Sequence, residues 1–216
     1  MKIGIIGGTG SFGRGLVLRW CARHRILIGS RDVAKAQAVA TECRQQAGPE
    51  IGSTGILGDT NQAVCAAAEI VVLSLKHNNL TPIMDNCRAA LNNKIVISPV
   101  AALVKEQFFK CAPFDHGSVA AYIQKQLPQA KVVAALHTIP AHRLRQQDKN
   151  IQGDVPVCSD NPEAKKTVMD LIREIKNLSP IDAGPLGAAS LVEPIVPLLL
   201  NLKIFGGLKS TSVQFV

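Results

Sequence analysis

Gly8-Thr9-Gly10-Ser11-Phe12-Gly13 stands directly behind the apolar run Lys2-Ile3-Gly4-Ile5-Ile6. A short strand, a glycine turn and a helix start are what a phosphate-binding loop requires. Gly8 permits the tight turn, and Gly10 lets the backbone approach a pyrophosphate. Gly13, near which the helix is expected to begin, lets that helix pack closely on the strand. The helix N-terminus then offers unpaired N–H groups and a partial positive charge to the phosphates, with Ser11 and Phe12 at its mouth. In this context the pattern predicts a dinucleotide site. A glycine turn without a ligand is the alternative.

The next strand, Arg25–Ile28, is followed by Gly29-Ser30-Arg31-Asp32. An NAD site usually places an acid here for the ribose 2′-hydroxyl. This chain offers Ser30 and Arg31, with Lys35 one turn further on. A hydroxyl, a planar guanidinium fork and an ammonium suit a 2′-phosphate, which selects NADP(H). Asp32 competes as a ribose ligand, but its place suits an N-cap of a helix over 33–46.

The elements that must position these groups alternate. Strands are expected at 55–57, 69–75, 94–98 and 131–136, and helices at 60–67, 80–91 and 117–127. Nearly all-apolar strands between helices indicate α/β architecture, a Rossmann-type doubly wound parallel sheet covered on both faces. Ligands of such sheets sit beyond the carboxyl ends of the strands. That rule nominates Ser74-Leu75-Lys76-His77, Ser98-Pro99-Val100 and His137-Thr138-Ile139-Pro140. The last third differs: strands at 154–158 and 180–183, a helix over 161–177, and a long apolar helix ending near Phe205. Residues 1–140 are therefore expected to form the dinucleotide-binding domain. Residues 141–216 form a smaller helical and αβ extension that completes the substrate pocket and an interface. The apolar last residues are expected to be tied down.

At 216 residues the chain can bury one substantial core. Its net charge of +8 comes without a basic run or base-stacking aromatics, which points to small polyanions and not to nucleic acid. The first strand begins at residue 2, leaving no room for a signal peptide. Leu191–Leu202 is interrupted by Glu193, Pro194 and Pro197, so it reads as a buried or interface helix and not a membrane span. A cytoplasmic homodimer is the expected form. The six cysteines show no C-x-x-C and no adjacent His at ligand spacing, so no metal is expected and the thiols are read as buried and reduced.

Gly7-Gly8-Thr9-Gly10, Gly29-Ser30-Arg31, Ala135–Pro140, Asp154–Cys158, Asp182–Leu186 and Leu191-Val192-Glu193 together resemble the NADPH-dependent coenzyme F420 reductases, from end to end and in order. The resemblance implies a hydride passed between C4 of a nicotinamide and C5 of the deazaflavin F420. It places Thr9, Ser30, Arg31 and Lys35 at the adenosine 2′-phosphate, and His137 and Ile139 in the deazaflavin pocket. It also implies that Arg143, Arg145 and Lys149 could face the acidic tail of the deazaflavin; a solvated face is the alternative. The chain departs from the family pattern at Lys76, where a proline is common, and over 100–115. Related NADPH domains reduce ordinary flavin and, through it, ferric iron. A flavin reductase and a non-catalytic NADPH sensor are thus the competing readings.

Overall fold

The structure, a computed structural model, describes residues 1–51, 55–147 and 151–216. The chain runs β1 (Lys2–Ile6), α1 (Ser11–Trp20), β2 (Arg25–Ser30), α2 (Val33–Ala47), β3 (Ile56–Thr60), α3 (Asn61–Ala67) and β4 (Ile70–Leu73). It continues through α4 (Leu80–Leu91), β5 (Ile95–Ser98), β6 (Leu103–Lys105), β7 (Phe109–Cys111), α5 (Val119–Gln126) and β8 (Lys131–Ala134). The last third holds α6 (Ala141–Leu144), β9 (Gly153–Val157), α7 (Pro162–Arg173), β10 (Leu178–Asp182), α8 (Ala189–Val192) and α9 (Ile195–Phe205).

Six parallel strands form one sheet in the order β3-β2-β1-β4-β5-β8. The order reverses between β1 and β4, and that switch point is where a doubly wound sheet opens a crevice. Alternate residues of each strand enter opposite layers. Ile3, Ile5, Val72 and Ile97 face α1, α2 and α7. Ile6, Val71, Leu73 and Val96 face α3, α4 and α5. Burial on both faces explains why these strands are near-continuous apolar runs.

Side-chain caps fix four of the helix starts. Asp32 accepts from the Lys35 amide, Thr60 from Ala63, Ser118 from Ala121 and Asn161 from Ala164. The cap reading of Asp32 therefore holds. Helix α1 has no side-chain cap and no acid in its first turn, and it starts at Ser11, two residues before the expected Gly13.

The last third departs most from expectation. Strands β9 and β10 pair with each other in a separate parallel sheet. A bridge between Ala134 and Cys158 ties that sheet to β8. The single long helix is in fact α8 and α9, with a break at Glu193–Pro194. Residues 103–111 form an unforeseen hairpin, and the Asn201 amide on α9 clamps it through the Phe109 N–H and carbonyl at 2.8 and 2.7 Å. The apolar tail is tied down: the Asp154 N–H donates to the Val213 carbonyl and the Phe215 N–H to the Asp154 carboxylate.

Candidate active site

The glycine turn is built by exclusion of side chains. Gly7, with φ +78, holds the left-handed conformation, and a Cβ there would lie 2.1 Å from the Ser74 carbonyl oxygen. The tight turn thus belongs to Gly7 and not to Gly8. Gly8 is needed for space, since its Cβ would meet the Ile5 carbonyl oxygen at 2.9 Å. A Cβ on Gly13 would meet Gly8 Cα at 2.6 Å, so α1 can rest on the turn only with glycine there. Gly10 is exposed, and its Cβ would meet nothing closer than 3.3 Å. The open side of Gly10 and the uncapped first turn of α1 leave room and N–H groups for a phosphate.

A cavity of about 320 Å³ flanks this turn, lined by Thr9, Ser30, Arg31, Lys35, Asn61 and Leu75 among others. The Ser30 hydroxyl accepts from the Asp32 amide at 3.1 Å, which fixes the bend after β2. The Arg31 and Lys35 side chains are exposed at the rim. The Asn61 side-chain amide oxygen is buried and has no hydrogen-bond partner among the described residues.

A second cavity of about 420 Å³ lies on the other side of the α1 start. Ser11 and Phe12 line it together with His137, Ile139 and Pro140. Leu136 holds φ +70, a left-handed backbone on a γ-branched residue. That conformation costs roughly 1–2 kcal/mol. It turns the chain out of β8 so that His137 faces the cavity. His137 Nε2 lies 3.2 Å from the Val100 carbonyl oxygen. A carbonyl only accepts, so Nε2 carries the proton and donates it. Nδ1 is then a bare acceptor, buried without a partner. Burial pushes the imidazole pKa down to about 4, which the Val100 bond only partly opposes. Near neutral pH this ring is an uncharged acceptor.

Helix α9 forms the far wall with Val196, Leu199, Leu200 and Lys203. His142 stands on the same rim, where burial first, and then the Lys203 and Arg143 charges, lower its pKa. Lys203 and His142 therefore share the mouth, and Arg143 lines a separate, adjoining cavity that also borders Pro140. Arg143 also donates to the Ser210 hydroxyl at 3.4 Å.

Residues 2–102 match the family described as NADP oxidoreductase, coenzyme F420-dependent. The F420-dependent NADP reductase of Methanocaldococcus jannaschii is 33% identical over 99% of this chain and 97% of its own length. The chain belongs to the F420-dependent NADP reductase family. Its Methanothermobacter thermautotrophicus member is 30% identical over 99% of this chain and 94% of its own length. A crystal structure from Arthrobacter sp. FB24, provisionally assigned as an F420-dependent NADP reductase, superposes with a TM-score of 0.84. It covers 100% of this chain and 99% of its own at 24% identity, which bears on the fold alone.

Within the family framework the sequence-predicted residues fall into three sets. Thr9, Ser30, Arg31, Lys35 and Leu75 line the first cavity. Ser11, Phe12, His137, Ile139 and Pro140 line the second. Gly8, Gly10, Gly13 and Ser74 line neither and shape the turn through the backbone. Lys149 lies outside the described residues. Asn61 escaped the sequence reading, although the rule about strand carboxyl ends applied to β3 would have found it. Val196, Leu199 and Lys203 also escaped. A helix apolar on most sides gives no periodic signal of which side lines a pocket.

The unfamiliar Lys76 is exposed and opens the short turn His77–Asn79. His77 on that turn packs edge-on against Phe114, with ring centroids 6.1 Å apart. The loop over 100–115 is thus held to the β4 end and to α9.

Proposed function

We propose that this protein transfers a hydride between NADP(H) and the deazaflavin coenzyme F420. The observation that carries the reading is one loop, Gly7–Phe12, serving two cavities on opposite sides of an uncapped helix start. One cavity suits a phosphorylated adenosine and the other a flat, mostly apolar ring. The bound pair supplies the chemistry, hydride from C4 of one ring to C5 of the other. The protein's part is to align and shield them at about 3–3.5 Å.

In this reading Thr9, Ser30, Arg31 and Lys35 hold the 2′-phosphate, and the free amides of α1 hold the pyrophosphate. Through Nδ1 His137 accepts an N–H of the deazaflavin and orients it. With its pKa near 4, His137 is no proton donor at neutral pH. Ile139 and Pro140 set the apolar spacing between the rings. Ile139 is only 5% exposed, so its wedge surface is small and its packing also supports the core. Residues 1–140 act as the dinucleotide unit, and 141–216 supply the pocket wall and an interface.

The homodimer and the cytoplasmic location belong to the same proposal. Leu191, Leu198, Leu202 and Phe205 are 77, 56, 43 and 69% exposed. Leu198, Leu202 and Phe205, at spacings of four and three, form one helical stripe on α9, and Leu191 adds apolar surface on α8 before the break. The run Leu186–Phe205 is, by its 20 residues and composition, long and apolar enough to cross a membrane, more than the sequence reading allowed. A bilayer would strand Glu193 and Asn201, which bond α5 and the β6–β7 hairpin from within it. A second copy fits the stripe better. Six free cysteines suit a reducing cytoplasm.

The flavin reading is not favoured, because the relatives matched over nearly their whole length carry the F420 name. The test is NADPH oxidation with the deazaflavin and FMN side by side, using 4-deuterated NADPH to expose the hydride step. Efficient turnover of the deazaflavin alone is expected. Comparable turnover of FMN, or none of either, overturns the proposal.

A further inference from the structure

Glu193 sits at the break between α8 and α9 and is 4% exposed. Its two carboxyl oxygens accept the amides of Val119 and Ala120 at 2.9 and 3.1 Å. Those are the first two residues of α5, and Ser118 occupies the next amide, that of Ala121. A carboxyl group from the C-terminal extension thus completes the cap of a helix in the nucleotide-binding sheet. The Glu193 carbonyl in turn accepts from Val196, a wall residue of the second cavity.

Little else holds this wall. Only Pro197 and Leu199 of α9 are buried, and the Asn201 clamp reaches a small hairpin. The wall position therefore depends on the Glu193 latch. The α5 start also packs in one cluster with Val100, the residue whose carbonyl orients His137.

We propose that Glu193 is a positioning residue whose carboxyl group latches the pocket wall α9 to the first turn of α5, so that its gain or loss of a proton tightens or loosens the deazaflavin pocket.

The groups facing Glu193 are the two α5 amides, the Cys111 thiol at the end of β7 and the Cys158 thiol after β9. Burial raises both thiol pKa values, so neither adds charge at neutral pH. Glu193 has no ion-pair partner among the described residues. Burial raises its own pKa to about 7 against the pull of the two amides. The latched form therefore holds its proton to higher pH than a solvated carboxyl does. By linkage, raising the pH through about 7 favours whatever opening returns the carboxylate to water. The wall should loosen above pH 7 and tighten below it.

The kinetic arm of the test rests on the proposed function. Wild type, E193Q and E193A are compared on the same substrates at pH 6 and 8, so titration of the ligands is common to all three. In the wild type, KM for the deazaflavin should rise with pH by up to about tenfold. In E193Q, which stays neutral and keeps one of the two acceptors, it should be flat with pH and lie between the wild-type value at pH 6 and that of E193A. In E193A it should be high at both pH values. NADPH affinity reports chiefly the first cavity, which no residue of α9 lines, and should stay near wild type in all three.

The structural arm needs no turnover. Hydrogen exchange, corrected for intrinsic rates, should show 119–121 and 195–205 losing protection from pH 6 to 8 in the wild type and not in E193Q. If E193A fails to fold, the contrast between wild type and E193Q decides alone. An identical pH response of those two in exchange overturns the latch. Absence of deazaflavin turnover by the wild type overturns the functional reading and leaves the exchange result to judge the latch.

Discussion

At the residue scale, three side chains act through their charge state. Arg31 lies exposed at the rim of the first cavity. A charge-assisted contact is worth about 1.5–3 kcal/mol, so Arg31→Ala should weaken NADPH binding by about tenfold to a hundredfold. NADH binding should hardly move, and equal wild-type affinity for the two cofactors would defeat the assignment. His137 acts by being neutral. Its folded pKa is lowered from 6.5 to about 4, so it contributes stability above pH 6.5 that is lost as pH falls toward 4. The full loss is about 3 kcal/mol. Glu193 works in the opposite sense. Its raised pKa means stability present below pH 4.5 and lost as pH rises through about 7. The two windows overlap and offset one another, so the wild-type melting temperature should change little between them. His137→Asn removes one arm. The melting temperature of that variant, relative to wild type, should climb as pH falls from 7 to 5. A constant difference would show that the imidazole is not held neutral.

At the element scale, the His137 loop is placed by what lies behind it. Helix α6 follows that loop and packs on α1 at Gly15, where a Cβ would lie 2.4 Å from Leu144 Cβ. Arg19 on α1 donates to the carbonyls of Leu144, Arg143 and Gln146 and locks the contact. Gly15→Ala should therefore cost about 1–3 kcal/mol by overpacking. It should raise KM for the deazaflavin while leaving NADPH affinity near wild type. Equal damage to both, measured by titration, would mean that α6 does not govern the loop. Other elements differ in how legible they were. The glycine turn was readable because its context, an apolar strand before and a helix after, is written in neighbouring residues. Five of the six sheet strands were readable because burial on both faces leaves few polar interruptions, whereas edge strand β3, half-buried and carrying Asp59, was read only as 55–57 and runs over Ile56–Thr60. The β6–β7 hairpin was not, because three-residue strands such as Leu103–Lys105 carry no period. The early start of α1 was missed because no cap residue marks it, and that same lack of a cap frees the helix end for phosphate. The bond from His137 to Val100 joins two strand ends that are far apart in sequence, so sequence could bring both residues near the site but could not pair them.

At the scale of the whole molecule, charge and apolar surface divide the labour. The net charge of +8 has a local counterpart at the second cavity, where Lys203 lines the mouth and Arg143 lies on the adjoining surface. Deazaflavin KM should therefore rise with salt, because exposed charges are screened within about 10 Å at 0.1 M. A flat salt profile would remove these residues from binding. The apolar surface lies on the opposite side of the same helix. Val196 and Leu200 of α9 face the cavity, while Leu198 and Leu202 face outward at 56 and 43% exposure. An isologous interface places one stripe against its own copy, which is the simplest way for a chain to bury such a surface. Any contact there also braces the cavity wall from behind. Introducing lysine at both Leu198 and Leu202 should therefore give a monomer by light scattering, with NADPH affinity near wild type because neither residue lines the first cavity. Deazaflavin KM should rise in that monomer, since the wall loses its support. A variant that remains a dimer, or a wild type that is monomeric at tens of micromolar, would show that this stripe has another purpose.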